Sequence, residues 1–332
     1  MGGKSCFAAL GYPCAFGGVN PEAPPLGFLS PIGRSVYNGL ETKLVTNINH
    51  PFRGARTLNA QLSYTLSRFE NSGGGVPPDA AVGPADSDQD YIIAALDNRQ
   101  PNRYFGPSTL DRTHQLSFGG YLDLPEGFQV GLISHFYSPL STTLTVPNTA
   151  EGAGEIFRTD FTGDGTTQDP VPGTHVGEFD RGINASNINR VIDDYNATVA
   201  GRPTPAGQVL IQQSLMTAAQ LTDLGAVAPV LSAAPANQVN LGWLRTVDAN
   251  LSWTYSIEGR VAVKPSIGFY NAFNFANFDL PTSIMSGLLA GTAGTINGTN
   301  PAAHNTNRVG VGTGLYTLGS PREIEFGLKI TF

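Results

Sequence analysis

The sequence predicts an all-β protein, an antiparallel up-and-down meander that forms part of a transmembrane β-barrel, open and incomplete, with long and partly helical extracellular loops. Three observations support this fold class. Many segments alternate apolar and polar side chains, the connections between these segments are alternately short and long, and aromatic residues cluster at both ends of the segments. Most segments reach the ~9–11 residues that a tilted strand needs to cross a bilayer.

Composition narrows the function classes. The chain has 332 residues and a formal net charge of -7, without a cluster of Lys and Arg, which argues against a nucleic-acid partner. No stretch approaches the ~18 apolar residues of a membrane helix. The modest hydrophobicity is compatible with a membrane barrel, because such a barrel alternates lipid-facing and interior-facing side chains.

The C-terminal segment gives the clearest strand pattern. On one side of an extended chain lie Ile324, Phe326, Leu328, Ile330 and Phe332, and on the other lie Glu323, Glu325, Gly327, Lys329 and Thr331. Successive side chains of a strand point to opposite faces, so the segment has one apolar and one polar face. A helical face would mix Ile324 with Gly327 and leave Phe326 outside it.

Six further segments repeat this alternation and bring the number of predicted strands to seven. Their apolar rows are Val36, Leu40 and Leu44; Leu58 to Leu66; Leu116 to Leu124; Phe128 to Phe136; Val247 to Ile257; and Val261 to Phe269. Pro265 lies within the last of these segments and cannot donate to a ladder, so we expect a bulge or a sheet edge there.

The connections alternate in length without exception. In order they span 47–56, 70–113, 125–127, 138–240, 258–259 and 272–321. Short turns at one end and long loops at the other are typical of an outer-membrane barrel. A secreted soluble β-sandwich, acting as a binding or adhesion module, is the alternative, because a half-solvated antiparallel sheet also alternates.

Aromatic and charged residues fit the barrel. Two belts of rings are expected at the membrane interfaces. Phe69, Phe136, Tyr137, Phe269, Tyr270 and Phe273 form one belt near the long loops, and Phe128, Trp253, Tyr255 and Phe332 form the other near the short turns. The predicted interior carries polar residues that hydrate it, namely Asp123, His135, Asp248, Lys264, Glu323 and Glu325.

Strand parity predicts the domain organisation. Single-chain outer-membrane barrels have an even number of strands. Seven is odd, so we expect residues 1–35 to be the remnant of an extracellular loop and residues 36–332 to be a partial barrel of about seven or eight strands from a longer protein. Within the first segment, Cys6 and Cys14 could close a small loop in an oxidising compartment or remain free thiols.

The longest connection is predicted to be partly folded. Ser186 is expected to cap a helix that carries Ile188, Ile192 and Tyr195 and ends near Gly201. Thr217 and Gln220 have capping-box spacing before a short helix that ends at Gly225. We expect these helices to pack over the barrel mouth or to form a surface that contacts substrate.

One loop segment partly resembles a calcium loop. Asp160, Asp164 and Asp169 are its candidate ligands, and Gly165 occupies the turn position. A complete loop needs an acid at position 12, where this chain has Val171. The segment is therefore either a weak calcium site or a turn built from Gly and Asp. The histidines have no metal-ligand spacing and no nucleophile motif is present, so we expect neither an enzyme nor another cofactor.

Several motifs resemble those of a known family. Residues 270–278, Tyr-Asn-Ala-Phe-Asn-Phe-Ala-Asn-Phe, are similar to a segment in the penultimate barrel strand of TonB-dependent outer-membrane receptors. The final strand resembles their C-terminal assembly signal, with Phe326, Leu328, Ile330 and Phe332 in the matching positions. Residues 33–40, 63–69, 111–116, 161–170 and 320–324 resemble the Oar-like, acidobacterial type of this family.

The resemblance implies a fragment of a transporter in the bacterial outer membrane. Full members have a barrel of about 22 strands, a plug domain and a short box that contacts TonB. We expect the plug domain and the TonB box to be missing from this chain. The TonB system would then act on it only through those N-terminal parts, and the fragment would be inactive alone. The implied partners are outer-membrane lipid, the barrel-assembly machinery and an unknown extracellular substrate.

Overall fold

The computed structural model describes residues 33–72, 97, 99–108, 110–146, 155–165, 169–234, 242–257, 260–277 and 319–332. These residues form one antiparallel sheet with a folded insertion. The expectations for residues 1–32, including Cys6 and Cys14, lie outside the described residues.

The sheet has nine strands in the described part of the chain. They are β1 (Ser35–Asn49), β2 (Thr57–Asn71), β3 (Gly106–Pro107), β4 (His114–Asp123), β5 (Phe128–Tyr137), β6 (Leu244–Trp253), β7 (Tyr255–Ile257), β8 (Val261–Tyr270) and β9 (Glu323–Thr331). Each long strand pairs with the next in sequence, while the two-residue β3 extends the pairing of β2. Without β3 and the three-residue β7, the seven predicted strands remain. The sheet is not closed, and β1 and β9 form its two edges.

The register gives the sheet one apolar face and one polar face. Leu62 lies opposite both Leu44 and Phe118, and Ile267 lies opposite both Leu251 and Phe326. Such cross-strand rows continue through the whole sheet, and many of their side chains are exposed, including Leu40, Leu44, Leu66, Val130, Leu132, Trp253, Phe326, Leu328 and Ile330. Neither a second sheet nor a helical core covers them in the described chain, as the sandwich alternative would require.

The expected bulge or edge at Pro265 is wrong. β8 lies inside the sheet, and Pro265 faces Leu328 of β9 in an unbroken register. On the other side the same register runs from the pair Ser252–Ser266 to the pair Tyr255–Val263. The pairing is interrupted at Trp253 and Thr254, which lie opposite Pro265 and Lys264, because proline has no N–H to donate there.

A folded insertion, which we call the loop domain, follows β5 and consists of the described residues between 139 and 234. It contains α1 (Ile156–Thr159), α2 (Ile188–Thr198), α3 (Pro205–Gln212) and α4 (Ala218–Asp223). Its core is built from Leu144, Val146, Val171, Phe179, Ile183, Ile188, Ile192, Tyr195 and Leu231. The prediction of a partly folded connection is confirmed.

No helix among the described residues has the length and apolar character that crossing a membrane would require.

Leu132 and Ile133 are neighbours in the middle of β5 that lie on opposite faces. Leu132 lies opposite Gly120 and Ala249 on the apolar face, and Ile133 lies opposite Asp248 on the polar face. We predict that Leu132→Arg lowers the unfolding free energy in lipid by about 2–4 kcal/mol, because the charge enters hydrocarbon. Ile133→Arg should have a much smaller effect, since it can approach Asp248.

The measurement is the fraction of each variant that stays in the outer-membrane fraction of expressing cells after extraction with urea. Equal retention of the two arginine variants would contradict the assignment of the apolar face to lipid.

Candidate functional site

The loop domain is joined to the sheet at the end where the long connections lie. Tyr104 packs against Val176, so the segment after β2 contacts the loop domain. The approach is close at Gly177, where a Cβ atom would lie 1.8 Å from the carbonyl oxygen of Pro107. Gly177 also has a φ of 60°, which other residues rarely adopt, so glycine is required there.

A buried ion pair, which we call the rim latch, fixes this junction. Nε of Arg181 donates to Oδ2 of Asp111 over 2.7 Å, and Nη2 donates to the carbonyl oxygens of Asp111 and Pro139. The other carboxylate oxygen of Asp111 accepts from the N–H of Phe69 at the end of β2. The side chains of Asp111 and Arg181 are 2% and 14% exposed. The latch thus connects β2 directly to the loop domain.

Two asparagines close the ends of β6, β8 and β9 at the same rim. Asn271 donates through Nδ2 to the carbonyl oxygens of Phe275 and Ser320, and its N–H donates to Oδ1 of Asp248. Asn277 bonds the N–H and the carbonyl oxygen of Arg245 and the carbonyl oxygen of Gly319. Both are buried. The segment that resembles the receptor motif therefore provides asparagine side chains that hydrogen-bond to the backbone at the ends of these strands.

The polar face carries hydrogen-bonded side chains, as predicted. His135 bonds through Nδ1 with the hydroxyls of Ser117 and Tyr137, which also bond each other. Near the short turns, Nζ of Lys264 donates to Gln129, which in turn donates to Asp123. A cavity of about 260 Å³ lies beside these three residues and Arg56. Glu325 accepts from the hydroxyl of Tyr270, and Asp248 from Asn271, so these predicted interior residues do lie on one polar face.

The aromatic rows partly follow the predicted belts. Near the short turns, the rings of Phe128 and Trp253 are 6.0 Å apart, and Trp253 is 5.4 Å from Tyr255. At the other end the register places Phe136 and Phe269 on the apolar face. Phe69, Tyr137 and Tyr270 instead lie on the polar face, because they occupy the alternate positions of their strands.

The structure brings together the three candidate calcium ligands in one turn of the loop domain. Asp160 accepts hydrogen bonds from the N–H groups of Gly163 and Gly165. Oδ2 of Asp169 accepts from the N–H groups of Phe161 and Thr162 at 2.7 and 2.8 Å. Both carboxylates thereby hold the turn closed. Oδ1 of Asp169 is buried and has no hydrogen-bond partner.

Burial changes the acidity of this turn. Burial raises the pKa of Asp169 to about 7. The hydrogen bond from the N–H of Thr162 lowers this pKa, whereas the nearby charges of Asp160 and Asp164 raise it further. Burial likewise raises the pKa of Asp160, although the N–H groups of Gly165 and Gly163 lower it. The side chain of Asp169 is 1% exposed, which agrees with desolvation as the main cause.

The geometry does not complete a calcium loop. Val171, at the position where a full loop has its bidentate acid, is buried in the loop-domain core. In the described part of the chain, no group of three or more His, Cys, Asp or Glu side chains has an arrangement that could hold a metal ion. Calcium binding by Asp160, Asp164 and Asp169 stays a prediction.

The C-terminal assembly-signal residues share the apolar face of β9. Phe326 and Ile330 pair with Ile267 and Val263 of β8, while Leu328 pairs with Pro265. Phe332 follows the strand and is 95% exposed. This row of large exposed side chains lies beside the free edge of the sheet. Its role in assembly stays a prediction.

Comparison with known families decides the class of this sheet. A family model for an outer membrane β-barrel domain matches residues 18–309, which is most of the chain. The chain belongs to this family. Searches of curated proteins and of solved structures found no match. The open meander is therefore outer membrane β-barrel structure, and the protein resides in the bacterial outer membrane.

Membership of the family assigns the two faces of the outer membrane β-barrel sheet. The apolar face is lipid-facing, the polar face is interior-facing, and the loop domain belongs to the extracellular rim, because long loops of such barrels lie outside the cell. The rim latch and the buried asparagines were not found from sequence. Asp111 and Arg181 are 70 residues apart, so no local pattern predicts their pairing.

Breaking the rim latch should release the loop domain. We predict that Arg181→Leu destabilises the junction by about 3–5 kcal/mol, because it leaves the buried Asp111 carboxylate without its positively charged partner. Limited proteolysis or hydrogen exchange should then show faster cleavage or exchange within residues 139–234. Arg190→Leu, on the exposed surface of α2, is the matched control and should leave the protection unchanged. Unchanged protection in Arg181→Leu would refute the latch.

The Asp169 carboxyl should make the loop domain pH-sensitive. Its folded-state pKa of about 7 lies above the ordinary value of 3.8, so the folded state binds the proton more tightly. The unfolding free energy is then highest below the ordinary pKa, decreases as the pH rises towards 7 and levels off above it. Asp169→Asn should flatten this dependence, measured as protease resistance of the loop domain against pH. The exposed Asp193→Asn should retain it.

The same assay tests the calcium prediction. A bound cation would favour the ionised carboxylates and restore protection above neutral pH, so millimolar calcium should rescue wild type and not Asp160→Asn. If calcium leaves the pH profile of wild type unchanged, the turn is structural only.

Proposed function

We propose that this outer membrane β-barrel chain is the C-terminal barrel segment of a TonB-dependent receptor of the Oar-like type, which binds an extracellular substrate and mediates its uptake across the outer membrane. Its role is binding and passage rather than catalysis. The single observation that carries the proposal is a folded loop domain locked to the extracellular rim. A barrel that only formed a passive wall would not need such an ordered surface.

Two further features support the proposal. The polar face carries hydrogen-bonded side chains such as Ser117, His135 and Tyr137, as the wall of a hydrated passage would. Residues 270–277 of the receptor-like segment lie at the extracellular rim, where Asn271 and Asn277 join the ends of three strands. In this proposal the TonB system acts through N-terminal parts that precede the barrel strands, and the barrel-assembly machinery recognises β9.

The experiment compares nutrient uptake in the native host. We expect deletion of the gene to abolish depletion of at least one compound from the medium, and we expect disruption of TonB to abolish depletion of the same compound. The wild-type gene for the whole receptor should restore uptake, whereas the same gene without the codons for residues 142–234 of this chain should not. The shortened protein must first be found in the outer membrane in normal amount.

Two outcomes would refute the proposal. In one, the compound is still depleted after TonB is disrupted, which points to a passive pore. In the other, the gene without the loop domain restores uptake fully, which removes the loop domain from substrate binding.

A further inference from the structure

Within the described strands, charged residues on the lipid-facing side of the sheet lie only at its extracellular end. Within the described strands, the charged residues of the apolar face are Arg68, Glu70 and Arg245. Arg34 and Arg322 directly precede β1 and β9 and continue the same faces. We call Arg34, Arg68, Arg245 and Arg322 the outer basic band. It extends from one edge of the sheet to the other.

The band arginines are placed at the surface of the rim. All four residues are exposed. The guanidinium of Arg34 lies 4.8 Å from the ring centre of Phe105, and that of Arg245 lies 5.0 Å from the ring centre of Phe275. An aromatic ring orients a guanidinium and leaves its N–H groups available to an acceptor beside the ring. Nη2 of Arg68 forms an ion pair with Oε1 of Glu70 at a distance of 2.7 Å.

Aromatic residues fill the interval between the arginines. Tyr64, His114 and Trp243 form a nearly parallel stack on the apolar face, with ring centres 6.3 Å apart in each pair. The hydroxyl of Tyr64 also bonds Nδ1 of His114 over 2.9 Å. Rings with a polar edge locate at the boundary between hydrocarbon and headgroups. The band therefore lies at headgroup level on the extracellular side.

We propose that the outer basic band binds the phosphate groups of phosphorylated lipids in the outer leaflet. The chemistry of the surface requires an amphiphile, because an arginine row lies directly above an exposed apolar face. Acyl chains would cover that face, and the headgroup would reach the arginines. Phosphate is the matching headgroup charge, since the planar guanidinium donates two parallel N–H bonds to it. An acidic protein would match the arginines but not the apolar rows below them.

The test measures binding of diphosphoryl lipid A and of fully dephosphorylated lipid A to the full chain in zwitterionic detergent, by native mass spectrometry. The wild-type chain should prefer the diphosphoryl form. The triple variant Arg68→Gln, Arg245→Gln and Arg322→Gln should lose at least about tenfold in affinity, because each basic side chain near an anionic lipid surface contributes roughly fivefold. Inorganic phosphate at millimolar concentration should not compete, because it lacks acyl chains.

The matched control is Arg190→Gln, Arg202→Gln and Arg260→Gln, which removes the same charge from exposed positions outside the band. It should bind as wild type does, and both triple variants should keep the β-sheet circular dichroism of wild type. Equal binding of the two lipid forms, or equal loss in both triple variants, would overturn the proposal. Full competition by inorganic phosphate would show a free-phosphate site instead.

Discussion

The structure depends on the pairing of backbone N–H and C=O groups, because hydrocarbon offers them no other partner. This requirement fixes the ladder of long strands, and the ladder fixes which side chains meet. Leu44, Leu62 and Phe118 then form one row on the apolar face. The adjacent residues Lys43, Ser63 and Ser117 form a row on the polar face. The same requirement bears on β1 and β9, which are the edges of the sheet in the described part of the chain. Each unpaired group costs several kcal/mol in lipid, so both edges need partners within the membrane.

The extracellular rim is held by a different set of interactions. The Asp111 carboxylate accepts hydrogen bonds from Phe69 of β2 and from Arg181 of the loop domain, so it connects the sheet to the loop domain. Asn271 and Asn277 play the equivalent part for the ends of β6, β8 and β9. Burial makes these polar contacts strong, because a lost partner would leave an unsatisfied group without water. The loop domain is therefore an ordered part of the barrel rim.

Sequence predicted the features that depend on local pattern. Alternation at Leu116, Phe118 and Leu122 identified β4, and the spacing of Thr217 and Gln220 identified the capping box of α4, which the structure contains. Features set by distant neighbours were missed. Pro265 was expected to cause a bulge or an edge, but it only interrupts the ladder locally, because the strands on both sides of β8 keep their register with it. Ser186 does not cap α2, which begins after Asn187, because the Ser186 hydroxyl bonds Asn184 instead. The short helices α1 and α3 were not predicted, although Thr204 followed by Pro205 is a helix-start signal for α3.

The asymmetry between the two ends of the sheet imposes an order of events during biogenesis. The loop domain has a closed core and buries the carboxylates of Asp160 and Asp169, so its folded form could not be translocated through hydrocarbon. Its polypeptide must reach the cell exterior while still unfolded and acquire its core there. The tight turn at residues 125–127 lies at the opposite end of the sheet and does not have to cross the membrane. We therefore expect strand insertion to precede the last folding step of the loop domain, outside the cell.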